Sequence, residues 1–482
     1  MEKNKKKIRI PLLEITAKMG ILTIIITLLI FYSDKIGYFN PNQLNDHTLR
    51  KWNSFYNLTS NKIDIDIMLF GNSHLYTGIN PKNLSLALGI NTFIFAAPGT
   101  NIADSYFGLK EAIKECRPKL VVIETYGMND FNPYNLEKGN LSSQLVSFSA
   151  RKNFLTKLQS TPYLFSSDNY LYAWSPTIRN HDYLFKNTEQ LKKNKILIDK
   201  KKKKKRDEKL YLGRYVRFTS GIEKDIIERY KTEGSPVRGK DYTYSKYTEL
   251  YVKKITKLCN DEKINLMFLT LPMYEKHISD YGVWNKTLSN VLSIYPNKWL
   301  NMQILPHYKG FKEDAFENTY NTNQHMTYNG SLLATYKLAD FIRDSLSVKL
   351  PNRQNEKKWH EMFYGDEGYF ENFDPVKSDK KNKILCSDKK LQNITLKKCL
   401  LVKVNNKANK IIAKIDKRII RNLKHQDLKI RLVLKLEQNG KEQIANMDLI
   451  YDLYHSPENE VIFSSLIQPI NIKEILDGMI VQ

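Results

Sequence analysis

The stretch from Ile63 to Ile79, IDIDIMLFGNSHLYTGI, constrains this chain more than any other. A run rich in Ile, Leu, Met and Phe stops abruptly at Gly71-Asn72-Ser73-His74. Its length and composition are those of a buried strand. Glycine at the end lets the chain turn sharply, which leaves Ser73 at the carboxyl edge of the sheet. Ligands of open α/β sheets bind along that edge. A serine held there attacks an acyl carbon when a base and an oxyanion hole converge on it. Gly-x-Ser after an apolar run is also a common strand-to-loop turn, so the motif alone does not decide.

The segments that follow keep a strand–helix rhythm. Pro81 to Leu88 reads as a short helix with proline in its first turn. Ile90 to Ala97 reads as a strand ending in Pro98-Gly99-Thr100, and a helix runs from there to about Cys116. Leu120 to Thr125 is a third strand, closing on Gly127-Met128-Asn129-Asp130. Such alternation predicts an α/β domain with a parallel sheet and right-handed crossovers, over residues 61–350. Its later parts are a helix over Lys246 to Asp261, a strand over Ile264 to Leu271, a loop carrying Asp314, Glu317 and Asn321, then His325 and a last helix after Gly330. Between about residues 133 and 240 the periodicity blurs, which marks an insertion. Its basic run Lys200 to Arg206 repels itself and reads as a solvated, mobile loop. The alternative is a grip on a polyanion, an acidic glycan or phospholipid headgroup. Residues 355–482 form short alternating segments with Asn439-Gly440 placed as a hairpin turn, so a separate small all-β domain, sandwich-like, is expected there.

At the other end, residues 1–11 are a basic tail and residues 12–34 an apolar run. Including Glu14 and Lys18 gives it the length a membrane span needs; the two are four apart and can pair on one helix face. Phe31-Tyr32-Ser33-Asp34-Lys35 is a poor cleavage site, which favours an uncleaved anchor over a cleaved signal peptide. Lysines ahead of the run place the tail inside and everything after it outside. Residues 35–60 then read as a polar linker. The 482-residue length suits two or three domains. The formal charge of +25 resides largely in lysine runs and comes without a zinc-finger or RNA-binding signature, so nucleic acid is not an expected partner. Four cysteines make no metal pattern; Cys386 and Cys399 are close enough to bridge in an oxidising compartment, and Cys116 and Cys259 fall on helices.

Three motifs thus end strands, Gly71-Asn72-Ser73, Gly99 and Gly127-Met128-Asn129-Asp130, and His325 comes late. Together they supply a nucleophile, a base and oxyanion donors: the backbone N–H groups of Ser73 and Gly99, and the Asn129 amide. One such donor is worth about 3 kcal/mol of transition-state stabilisation.

This order resembles the four blocks of the SGNH/GDSL hydrolase superfamily, with GNSH in place of GDSL. With the N-terminal anchor, FGNSHLYTGINP and RPKLVVIETYGMND are most similar to its extracytoplasmic branch, related to alginate O-acetyltransferases and DltD. The resemblance covers roughly residues 60–350. It implies a flavodoxin-like three-layer α/β/α sandwich, Ser73 as nucleophile, His325 as base, and Ser73, Gly99 and Asn129 as oxyanion hole. Neither metal nor cofactor is required. Family members carry Asp three residues before the histidine, whereas here Thr322 stands there. Either Asp314 or Glu317 takes that role, or a Ser-His dyad operates, or the site is degenerate. The expectation is an acyl esterase or O-acetyltransferase on cell-envelope or exported polysaccharide, served by an acyl donor or a membrane acyl-transfer partner. Its alternative is a protein that keeps the fold and only binds glycan or a biosynthetic partner.

Overall fold

The computed structural model describes residues 5–39, 47–128, 141–203, 212–213, 221–242, 244–320, 325–364, 383–391, 394–403, 409–416, 429–438, 441–451, 460–467 and 471–481. The chain forms two compact units, Met1–Arg50 with Leu136–Asp207, and Lys51–Asn135 with Glu208–Gln482.

The first unit begins with helix α1, Lys5–Ile36. Its segment Leu13–Ile36 is 24 residues, long and apolar enough to cross a membrane. Glu14 and Lys18 pair at 2.8 Å, as their spacing predicts. The rest of the unit is helical: α6 (Leu141–Ala150), α7 (Phe154–Leu164), α8 (Tyr170–Trp174), α9 (Pro176–Arg179), α10 (Tyr183–Lys186) and α11 (Thr188–Lys203). Part of the basic run expected as a loop, Lys200 to Lys203, is the last turn of α11; residues 204–206 lie outside the described residues.

The supposed linker contains a helix, α2, His47–Ser60, of which the part from Lys51 onward belongs to the second unit. Its polar composition hides a strong aromatic stripe: Trp52 and Phe55 are fully buried and pack on Phe93 and Phe95. The central sheet joins β1 (Ile67–Phe70), β2 (Thr92–Ile94), β3 (Leu120–Glu124), β5 (Asn265–Thr270) and β7 (Lys298–Asn301), in spatial order β2-β1-β3-β5-β7. Every pairing is parallel. All four residues of β1 are buried, because a central strand with layers on both faces has no wet side. The crossovers use α3 (Ser73–Gly78), α4 (Pro81–Leu88), α5 (Ile102–Glu115), α13 (Lys246–Asp261) and α14 (Tyr281–Leu292), and α12 (Lys224–Glu233) precedes a two-stranded parallel pair, β4 (Val237–Arg238) with β6 (Ile278–Ser279). Helix α15 (Tyr328–Ser345) closes the α/β part with Leu332, Ala334, Leu338 and Ile342 inward, and α16 (Lys357–Tyr364) follows.

The C-terminal region is one antiparallel sheet of β8 (Lys383–Lys390), β9 (Thr395–Lys403), β10 (Asn409–Asp416), β11 (Lys429–Gln438), β12 (Lys441–Tyr451), β13 (Glu460–Ile467) and β14 (Asn471–Val481), ordered β14-β11-β12-β13-β10-β9-β8. Gln438 pairs with Lys441, which leaves two residues for the β11–β12 connection, the hairpin that Asn439-Gly440 predicts. Although β8 and β14 end the strand order, the Lys389 ammonium on β8 bonds the Ile475 carbonyl on β14. The sheet therefore curls around a core that includes Leu396, Ile411, Leu432, Leu449 and Ile472. Cys386 and Cys399 are both free thiols and stand directly opposite on β8 and β9.

Candidate active site

Three loops meet at the carboxyl ends of β1, β2 and β3. Gly71 ends the first strand where no side chain fits: a Cβ there would lie 2.7 Å from Glu124 Cβ. Asn72 then caps α3, its side-chain oxygen accepting the His74 N–H at 3.0 Å. Ser73 is the first residue of that helix and is half-buried. After β2, Ala97-Pro98-Gly99-Thr100 form a tight turn closed by Thr100 N–H on the Ala97 carbonyl, with Gly99 at φ +62°. Proline then a left-handed glycine is the type II pattern. After β3, Gly127 passes so close that a Cβ would sit 2.9 Å from the Thr100 carbonyl and 3.8 Å from the Asn72 amide nitrogen. The glycine-bearing segments read from the sequence thus converge. Asn129 and Thr322 lie outside the described residues.

His325 arrives from the far side of the chain. Phe316 and Met326 form an antiparallel bridge, and Glu317 N–H bonds the His325 carbonyl at 2.8 Å. That short ladder sets Glu317 beside the imidazole, and its carboxylate meets His325 Nδ1 at 3.2 Å. Both side chains are largely buried, 14% and 11% exposed, so the pair is shielded from bulk screening. Thr327 caps α15 and its hydroxyl donates to the Asp314 carbonyl at 2.6 Å. Gly330 lets this turn close: a Cβ there would fall 2.1 Å from the Ala315 carbonyl. Of the candidate acids, Glu317 stands behind the ring, whereas Asp314 is exposed and takes part through its backbone.

The His325 ring lies 5.4 Å from the ring of His74, the residue after Ser73. The late imidazole is therefore on the same side of the sheet as the serine loop. His325 Nε2 is buried and makes no hydrogen bond among the described residues, so the Ser73 hydroxyl is not bonded to it in this arrangement. His74 stacks on Tyr126 at 3.9 Å. Burial first, then His325 and His277, hold its pKa well below the usual histidine range, so it is neutral.

Glu124 is a residue the sequence reading passed over. It ends β3 fully buried; its carboxylate accepts the Tyr126 N–H at 2.7 Å, and its side chain lies directly against Gly71 at the start of the serine loop. It therefore ties the serine loop to the loop after β3. Burial outweighs the nearby backbone N–H groups and pushes its pKa up to about 8. The available clue was one acid closing an otherwise apolar strand just before a glycine, in IETYG. Outward from His74 runs an aromatic wall: the Tyr126 and Tyr242 hydroxyls meet at 3.1 Å, and Tyr242 stacks on Trp284 at 4.6 Å.

No family model matches the sequence, and no curated protein matches it. Among solved structures, a gut microbial diltiazem-metabolizing enzyme aligns at 13% identity and a TM-score of 0.19, over 79% of this chain and 61% of that one. The chain spans about three fifths of that protein's length, and a likeness this weak carries no argument.

Proposed function

We propose that this chain is a membrane-anchored serine acyl esterase or O-acetyltransferase of the SGNH type, acting on envelope or exported polysaccharide through an acyl-enzyme on Ser73. The observation that carries the reading is the Glu317 carboxylate on His325 Nδ1, with the ring turned toward the serine loop. Thr322 leaves that role vacant in the sequence motif, and Glu317 fills it. The sheet order β2-β1-β3-β5-β7 supports the flavodoxin-like sandwich, in which ligands sit where the strand order reverses, beside β1 and β3.

In this reading Ser73 Oγ attacks the acyl carbonyl as His325 Nε2 takes its proton. Glu317 stabilises the imidazolium through Nδ1. The oxyanion is held by the N–H groups of Ser73 and Gly99 and the amide of Asn129. The leaving alcohol takes the proton back, and water or a sugar hydroxyl then deacylates the enzyme. His74 stays neutral and adds no second charge beside the imidazolium. Tyr126 and Tyr242 offer ring surface of the kind sugars pack on. Helix α1 is an uncleaved anchor with the basic tail inside and the site outside. The acyl group comes from a soluble donor or from a membrane acyl-transfer partner.

A second reading, a binding protein without turnover, is favoured by one observation: no hydrogen bond joins Ser73 to His325. Catalytic hydrogen bonds often form only in the substrate complex. Release of p-nitrophenol from p-nitrophenyl acetate separates the two. A burst in wild type that is lost in Ser73→Ala supports the enzyme. Identical background traces support the binding protein.

A further inference from the structure

We propose that the helices of residues 141–203 lie in the headgroup layer of the bilayer crossed by α1, with their outward apolar side chains among the acyl chains. The inference rests on reading α1 as membrane-spanning.

Helix α7 is built inside out for water. Its buried side is Thr156, Ser160, Thr161 and Leu164, while Phe154, Leu155 and Leu158 point outward, Phe154 with 62% of its surface exposed. A surface helix of a soluble protein shows the reverse order. The inversion recurs. In α8 the small Ala173 is buried and Leu171 is 67% exposed. In α10 nothing is buried, and Phe185 is 84% exposed beside Leu184. Leu13 and Phe31 on α1 itself are exposed to a similar degree. Scattered single apolar residues need no explanation, but several large ones on successive short helices mark a contact surface.

The position of these helices identifies the occupant. Asp34, at the end of α1, accepts hydrogen bonds from the Thr177 N–H and hydroxyl, each at 2.7 Å. Asn180 donates to the Phe39 carbonyl at 3.2 Å and Asn194 to the Tyr38 carbonyl at 2.8 Å. The segments of α9 and α11 are therefore fastened to the end of α1, where a span of this length would leave the bilayer, which holds the exposed apolar residues of this unit close to the membrane surface. Exposed Lys152, Lys186, Lys192, Lys193 and Lys195 supply the charge that anionic headgroups attract. Large apolar residues with lysines around them, lying in the plane of the interface, are the pattern of a monotopic helix.

The test uses the full chain in vesicles of phosphatidylcholine with a minority of phosphatidylglycerol. A phosphatidylcholine carrying a photoactivated diazirine on its acyl chain is included, and labelled peptides are mapped by mass spectrometry. The expected result is label at residues 154–158, 171–172 and 184–185 as well as within 13–36. A variant combining Phe154→Ser, Leu155→Ser, Leu158→Ser and Phe185→Ser should lose the label over 154–158 and 184–185, keeping that in 13–36 and its far-ultraviolet dichroism. Label confined to 13–36 overturns the proposal and leaves the anchor standing; a face that then crosslinks to a membrane protein in native membranes belongs to a protein partner. Label in neither region overturns both.

Discussion

At the scale of single residues the proposed reaction depends on Glu317, whose carboxylate stands behind His325 Nδ1, because an imidazole without a carboxylate behind it is a poorer base. Glu317→Gln keeps the size of the side chain and removes its charge. Esterase kcat/KM should fall strongly, up to roughly ten-thousandfold, the effect of replacing a triad carboxylate by its amide. Asp314→Asn should leave it within a few-fold, because Asp314 is exposed and the carboxylate on His325 Nδ1 is that of Glu317. Glu124 makes a different prediction, about stability. Its folded pKa is raised to about 8 from 4.5, so the folded state holds a proton that the unfolded chain has released. Its contribution is present in full below pH 4.5 and is lost as the pH rises to about 8. The slope approaches about 1.4 kcal/mol per pH unit inside that window. Denaturant melts of wild type across it should show a decline that Glu124→Gln, which cannot ionise, lacks. His74 acts in the opposite direction. Its depressed pKa makes stability fall as the pH drops below the ordinary histidine value.

Elements decide whether those residues meet. The first turn of α15 lies on the Glu313–Ala315 turn only because Gly330 has no Cβ. Gly330→Ala should force the two apart, costing roughly 1–3 kcal/mol in urea melts. It should also lower kcat/KM by loosening the Glu317–His325 ladder, more than an equally destabilising change in the β8–β14 sheet would. What could be read from the sequence follows the same division. The strands that lead into Gly71, Gly99 and Gly127 were legible because apolar runs and turn glycines are local signals, although the second, expected over Ile90 to Ala97, is only Thr92–Ile94. The choice of Glu317 over Asp314 was not, since it depends on which strand residues face each other across the Phe316–Met326 bridge. Helix α2 was hidden because its buried stripe is aromatic within a polar sequence. The helices of 141–203 were illegible for a stronger reason. Four or five residues, as in α8, α9 and α10, give no period to detect. In α7 the apolar side chains face outward, against the assumption on which periodicity arguments rest.

At the scale of the whole molecule, one compact unit holds the parallel sheet with the candidate site, and the other is helical and includes a helix long and apolar enough to cross a membrane. On the topology proposed above, the +25 charge would meet headgroups or acidic glycan. All of it depends on Ser73 carrying an acyl group. The most direct measurement is peptide mass mapping after brief incubation of the full chain with p-nitrophenyl acetate and an acid quench. The account predicts one acetyl group on the peptide containing Ser73, absent from Ser73→Ala and strongly reduced in His325→Ala. Unmodified Ser73 in wild type, or acetyl only on surface lysines and equally in all three proteins, would contradict it.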